Sequence, residues 1–213
     1  MELLQLRAKL KEATMKMLTL DPKKSGVKVL EYFWRKCFHE AYSVSRQLKG
    51  NGWSKSQTQL IQSHLLSGIG TYHNLILFLA EKFGWESDFL LDFTISKSYG
   101  WASFTDNKKL SSGNSVTEET IDQAWMENNV FRCLVWLGDL SRYLETDLSS
   151  SSPASATRYY QLASMLSPAS GQPYNNLAML AGDNNHGLDQ LYLYLKCVCC
   201  TTATENGQAN LKR

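Results

Sequence analysis

Proline is scarce in this chain, four in 213 residues, and glycine numbers only 13, so the punctuation that a protein of many short strands needs is missing. Long uninterrupted helices are what remain. An excess of one charge sign is missing too: 22 Lys and Arg against 20 Asp and Glu leave a net +2, which supplies no global field for nucleic acid or an acidic membrane. Any anion site must therefore be local. The longest apolar stretch, Asn74-Leu-Ile-Leu-Phe-Leu-Ala80, falls far short of the ~18 to 20 residues that cross a bilayer. The first residues mix Glu2, Arg7, Lys9, Lys11 and Glu12 with leucines, which fits neither a signal peptide nor a transit peptide. Cys37, Cys133, Cys197, Cys199 and Cys200 form an odd set, and no Asn-X-Ser/Thr acceptor occurs, so they read as reduced thiols of a cytoplasmic or nuclear protein.

Apolar residues recur at helical steps in most of what is present. Leu3, Leu4, Leu6, Leu10, Ala13, Met17 and Leu20 predict a first helix stopped at Asp21-Pro22. From about Ser25 a second carries the stripe Val29, Tyr32, Phe33, Cys37, Ala41, Val44 and Leu48, until Gly50-Asn51-Gly52 breaks it. Ser54 with Gln57 reads as a capping box for a third, which bears Leu60, Ile61, Leu65, Ile69, Tyr72, Leu75 and Leu79 and ends at Gly84, with Gly68 and Gly70 as points of close helix contact. Periodicity fails between Asp92 and Val116, which predicts a flexible loop. A fourth helix starts at Thr117 and runs to Leu148, a fifth spans Ala154 to Leu166, and a pair follows at Pro173–Leu180 and Leu188–Cys200. The expected organisation is a single all-α domain over 1–213, with N-terminal helices in 1–91, the loop in 92–116 and helical hairpins in 117–213.

Those hairpins fit the tetratricopeptide template of small residues at close crossings, one aromatic and a closing proline. Gly138, Ala156, Tyr160, Ala163 and Pro168 make one copy, with a six-residue insertion in its turn, and Ala178, Gln190, Tyr194 and Cys197 make a second. Chemistry-bearing motifs are few. His64 and His73 lie on a mostly apolar helix as packing histidines, and Cys197-Val-Cys-Cys200 has no second Cys/His pair at zinc spacing. No P-loop, dinucleotide fingerprint, Gly-X-Ser-X-Gly or His-Glu-X-X-His is present, so no catalysis, metal or cofactor is expected. Arg142 reads either as an arginine paired with Asp139 or Glu145, or as a phosphate ligand. Arg35, His39, Tyr42 and Arg46, at i, i+4, i+7 and i+11, form one polar stripe on the second helix. Asn175 and Asn176 follow Pro173 at a helix start, where each serves equally as a cap or as a holder of peptide backbone.

The run Arg132-Cys-Leu-Val-Trp-Leu-Gly-Asp-Leu-Ser-Arg-Tyr143, with Tyr159-Tyr160 and Gly171-Gln-Pro-Tyr-Asn-Asn-Leu-Ala178, resembles the 14-3-3-like domain of the SMG/Est-one family of nonsense-mediated mRNA decay factors. Trp34-Arg35-Lys36, Gly68-Ile-Gly-Thr-Tyr72 and Asn210-Leu-Lys-Arg213 look most like its SMG-five branch. The resemblance runs from about Leu3 to Arg213. Family members carry a helix before this segment and further domains after it, so the expectation is an isolated or shortened domain.

The resemblance implies a 14-3-3-like array of antiparallel helical hairpins and a non-catalytic adaptor that binds phosphoserine or phosphothreonine. Arg142 and Tyr143 match the 14-3-3 phosphate pocket, where guanidinium and hydroxyl grip phosphate oxygens through charge-assisted hydrogen bonds. Arg46 aligns with a second pocket arginine. His39 stands where the pocket has lysine and supplies charge only when protonated. From their positions alone, Arg35, Asn175 and Asn176 are candidate peptide contacts. The implied partners are the phosphorylated RNA helicase of the decay pathway and an SMG-seven-type domain, with no direct nucleic-acid contact and no membrane. The other reading, which His39 motivates, is a heterodimerisation scaffold whose phosphate pocket is degenerate.

Overall fold

A computed structural model describes residues 2–49, 52–85, 123–148, 152–183 and 186–211, and every regular element in them is helical. The expected loop from Asp92 to Val116 and the expected helix start at Thr117 lie outside the described residues. In chain order the elements are α1 (Glu2–Leu20), a π-helical turn (Pro22–Gly26), α2 (Val27–Trp34), a second π turn (Arg35–His39) and α3 (Glu40–Gln47). There follow α4 (Lys55–Phe83), α5 (Gln123–Arg142), a third π turn (Tyr143–Leu148), α6 (Ala154–Leu166), α7 (Gln172–Asp183), α8 (Gly187–Cys199) and α9 (Glu205–Leu211).

Local chemistry sets the boundaries. Asp21 leaves helical geometry at φ −145°, accepts from the Lys24 amide at 3.3 Å and from the Ser25 hydroxyl at 2.6 Å, and so separates α1 from the next turn. Ser54 accepts from the Gln57 amide and Gln57 returns the bond to the Ser54 amide, which completes the capping box at the head of α4. Gly84 ends that helix at φ +63°, a conformation that glycine adopts without strain. Pro168 follows the end of α6 by two residues.

The Arg35–His39 turn joins α2 to α3 without a break, so Val27–Gln47 is one continuous rod. Its buried face differs from the expected stripe. Leu30, Phe33, Trp34, Phe38 and Tyr42 enter the core, while Tyr32, Val44 and Leu48 are exposed; of the expected set only Phe33 is fully buried. The residues Leu30, Trp34, Phe38 and Tyr42 repeat every four, so on a regular helix of 3.6 residues per turn they would drift by about 40° at each step. A π turn bonds i to i+5 and lowers the rotation per residue, which returns Phe38 and Tyr42 to the core side. A similar shift of face holds in α1, where Thr14 and Leu18 are buried but Ala13, Met17 and Leu20 are exposed.

The rod packs on α4 and α5 through aromatic rings. Trp34 stacks on Trp136 at 5.5 Å and 14°, and Tyr72 of α4 meets both indoles. Gly68 lets these helices close: a methyl there would lie 2.8 Å from the Phe38 ring and 2.9 Å from Leu140. Gly70, expected to do the same, has open space around it. In the hairpin of α5 and α6 a methyl on Gly138 would collide with the Tyr160 ring, and Ala156, Ala163, Ala178 and Cys197 are fully buried. A short parallel bridge between Ser170 and Thr202 brings the start of α7 to the end of α8.

The two glycine environments give a paired expectation. Gly138→Ala should destabilise by about 1 to 3 kcal/mol through overpacking. Gly70→Ala should be neutral or stabilise by up to about 1 kcal/mol, because it only removes backbone freedom within a helix. Urea denaturation of both variants checks this, and equal shifts of the same sign would contradict the packing described.

Candidate functional site

The third π turn begins where α5 ends, and it lays the Tyr143 ring on Tyr42 of the rod, 4.1 Å apart and 14° from parallel. Tyr42 was expected on a polar stripe. It is buried instead, and its hydroxyl donates to the Asp147 carboxylate of that turn. Arg46, one turn further along the rod and exposed, points its Nε to the same Asp147 at 3.8 Å. Arg142 sits with its guanidinium 4.6 Å from the Tyr143 ring centre and its Nη2 3.8 Å from Asp139. Both arginines, from different elements, are thus held at one stacked tyrosine pair.

Arg142 pairs with Asp139 rather than Glu145, because Glu145 accepts from the Ser155 and Ala156 amides at the head of α6. Asp139 also accepts from the Tyr160 hydroxyl at 2.7 Å. Burial pushes the Asp139 carboxyl above the usual carboxylate range, against the Tyr160 hydrogen bond and the charges of Arg142 and His39. Burial works against the Arg142 charge, yet Tyr160, Asp139 and Tyr143 beside it hold the guanidinium further toward the cation. Burial likewise raises the Tyr143 hydroxyl to about 12, so at neutral pH it keeps its proton and can donate. Arginine donors with a protonated tyrosine hydroxyl are what a phosphate oxyanion requires.

His39 is exposed at the edge of this cluster, its ring 6.1 Å from Trp34 and its charge felt by Asp139. Arg35 lies outside it, facing Glu40 at 3.6 Å and the Tyr32 ring at 5.6 Å. Asn175 is buried inside α7 and accepts from Asn210 at 3.1 Å, which ties α9 to α7; Asn176 next to it is half-buried. Asp147 and the stacking role of Tyr42 have no signal in the sequence, since both depend on which residues the π turns bring together. Tyr160 does have one, as the aromatic of the first repeat. His73 hydrogen-bonds the Tyr159 hydroxyl at 2.8 Å across α4 and α6. Among the described residues no group of three or more His, Cys, Asp or Glu could hold a metal, and no helix is long and apolar enough to cross a membrane.

Two protein-family models match the chain. The one described as "Telomerase activating protein Est1" covers residues 28–146, and "Est1 DNA/RNA binding domain" covers 156–213. Over 213 residues the chain is 31% identical to nonsense-mediated mRNA decay factor SMG5 of Homo sapiens, covering 100% of this chain and 20% of that one. It is 28% identical over 176 residues to nonsense-mediated mRNA decay factor SMG7 of Arabidopsis thaliana, covering 79% and 15%. The chain therefore spans about a fifth of the length of the curated relatives it matches. Its fold is similar to a chain of "Structure of the C. elegans SMG5-SMG7 complex", with a TM-score of 0.64 and 18% identity over 99% of this chain and 52% of that one.

Asp139 gives the site a pH signature. Its pKa is raised in the folded chain, so the folded state holds the proton more tightly than the unfolded state. Its contribution to stability is fully present below the unfolded value of 3.8 and is lost as pH rises through the raised folded value. Asp139→Asn lacks that loss. Relative to the parent, the variant should gain stability between acid and neutral pH in urea denaturation, and a difference that stays constant with pH would contradict the raised pKa of Asp139.

Proposed function

The chain belongs to the Est1 family, and we propose that it is a non-catalytic adaptor of nonsense-mediated mRNA decay that binds a phosphoserine- or phosphothreonine-bearing segment. Arg142 and Tyr143 take the phosphate together with Arg46, and His39 stands beside them. The observation that carries this reading is the convergence of Arg46 and Arg142 on the Tyr42–Tyr143 stack. A phosphate carries about −1.5 to −2 charge and needs more than one cation, and here two reach one place from elements distant in sequence. The names of the similar proteins support the pathway. On this reading the phosphorylated segment belongs to the RNA helicase of the pathway, an SMG7-type domain is the pairing partner, and the protein works in the cytoplasm or nucleus.

Direct nucleic-acid binding has less support. Between residues 156 and 213 the basic side chains are Arg158, Lys196, Lys212 and Arg213, against Asp183, Asp189 and Glu205, which makes no basic stripe.

A second reading, a heterodimerisation scaffold with a degenerate pocket, has its own observation. Each arginine already faces a carboxylate, Arg46 with Asp147 and Arg142 with Asp139, so a phosphate must compete with both. Exposed pairs such as Arg46–Asp147 contribute only about 0 to 1 kcal/mol, whereas a hydrogen bond to a charged group contributes about 1.5 to 3, so at Arg46 the competition favours phosphate.

Paired phosphorylated and unphosphorylated peptides in isothermal titration test the reading. Arg46→Glu and Arg142→Gln should each weaken the phosphorylated peptide by roughly ten- to hundredfold and leave association with an SMG7-type domain intact. Arg46 is exposed, so its reversal leaves the fold undisturbed. His39→Lys should tighten binding at neutral pH by adding a permanent charge. Equal affinities for the two peptides in the parent would overturn the phosphate reading in favour of the scaffold.

A further inference from the structure

A groove of about 460 Å³ opens where α2 and the second π turn meet α5, beyond His39 from the tyrosine pair. Its floor is the stacked Trp34 and Trp136, each less than a tenth exposed. Lys28, Tyr32, Arg35 and His39 form its rim. The one acid there, Glu31, is held by Arg132 of α5, so the open charge of the groove is positive. Arg35 shares Glu40 with Lys36, and Lys36 is the nearer at 2.7 Å against 3.6 Å. The arginine therefore keeps donors for another anion.

Spacing along the rod connects this groove to the phosphate site. Arg46 follows His39 by seven residues, Arg35 by eleven and Lys28 by eighteen, about 10, 16 and 27 Å along the axis at 1.5 Å per residue. An extended peptide advances about 3.3 Å per residue, so a ligand with its phosphate near Arg46 passes the rim roughly three to eight residues away. The rim's cations are one lysine, one arginine shared with Glu40, and a histidine. No guanidinium there is paired with a buried tyrosine hydroxyl as Arg142 is with Tyr143. That set matches a singly charged carboxylate better than a second phosphate.

Resting on the phosphopeptide reading above, we propose that this groove is a sequence-reading subsite that takes an aspartate or glutamate side chain of the same peptide, three to eight residues from the phosphorylated one. The phosphate supplies most of the affinity, and the groove distinguishes one phosphorylated segment from another. The exposed edges of the two indoles at its floor meet the carbon stem of the acidic side chain while Lys28 and Arg35 meet its carboxylate.

The test uses the whole chain and fluorescence anisotropy with labelled phosphoserine peptides on a neutral background, carrying Glu or Gln at one of the positions three to eight residues away on either side. In the parent, Glu should tighten binding about fivefold over Gln at its best position, and the gain should shrink at high salt. Lys28→Glu should abolish that gain while leaving the neutral-flanked phosphopeptide within about twofold of the parent. A gain that persists in Lys28→Glu would overturn the placement in the groove. A second phosphoserine that tightens binding far more than Glu would overturn the carboxylate assignment. Phosphate preference without any gain from Glu would overturn this inference alone, whereas loss of phosphate preference in the neutral-flanked pair would overturn the phosphate reading and this one with it.

Discussion

Two ring stacks hold this fold in register. Trp34 lies on Trp136 and Tyr42 lies on Tyr143, each pair 14° from parallel, so the rod and α5 run in the same direction and are pinned at two points about two turns apart. The spacing is eight residues on the rod and seven on the α5 side, and the π turn at Arg35–His39 lies between the two pins, where that mismatch has to be absorbed. Ring pairs of this kind contribute about 0.5 to 1.5 kcal/mol beyond the area they bury. Their larger effect is positional. Arg46 follows Tyr42 by one turn and Arg142 immediately precedes Tyr143, so stacking the tyrosines puts one arginine beside each member of the pair.

The electrostatics of the site follow from the same packing. Burial of the Tyr42, Tyr143 and Tyr160 rings, with Asp139 partly buried among them, removes water that would otherwise screen Arg142, and it keeps the hydroxyls protonated as donors, while Arg46 stays exposed to solvent. Asp139 and Asp147 orient the two guanidinium groups, as the carboxylate partner of a binding arginine commonly must if the fork is to be preorganised. The same carboxylates cost affinity for an anion. On the proposed reading, binding rests on a difference between two electrostatic arrangements, and an uncharged peptide gains nothing from either.

Much of this architecture is legible in the sequence, since most helix boundaries are set by residues close by. Ser54 with Gln57, Gly84, Asp21-Pro22 and the Ala154–Leu166 segment show their ends through capping and breaking chemistry that acts over a few residues. The Gly138–Tyr160 contact is legible too, because repeat spacing encodes it. The buried face of the rod is not. A 3.6-residue period puts Val44 and Leu48 inside and Trp34, Phe38 and Tyr42 elsewhere, and only a π turn, which has no composition of its own, reverses this. At the site, Arg142, Tyr143 and Arg46 are legible through the family's motif. Asp147 and Tyr42 are contacts across 105 residues of chain that no local pattern announces.

The central claim is that a phosphate sits between Arg46 and Arg142 at the tyrosine pair. Phosphorus-31 NMR of a bound phosphoserine peptide, titrated with pH, tests it most directly because the nucleus reports its own charge. Free phosphoserine takes its second ionisation near about pH 6, and two guanidinium groups in contact favour the dianion. The account predicts that the bound phosphate ionises well below the free value in the parent chain and returns toward it in Arg46→Glu. A bound phosphate that ionises at the free value would contradict it.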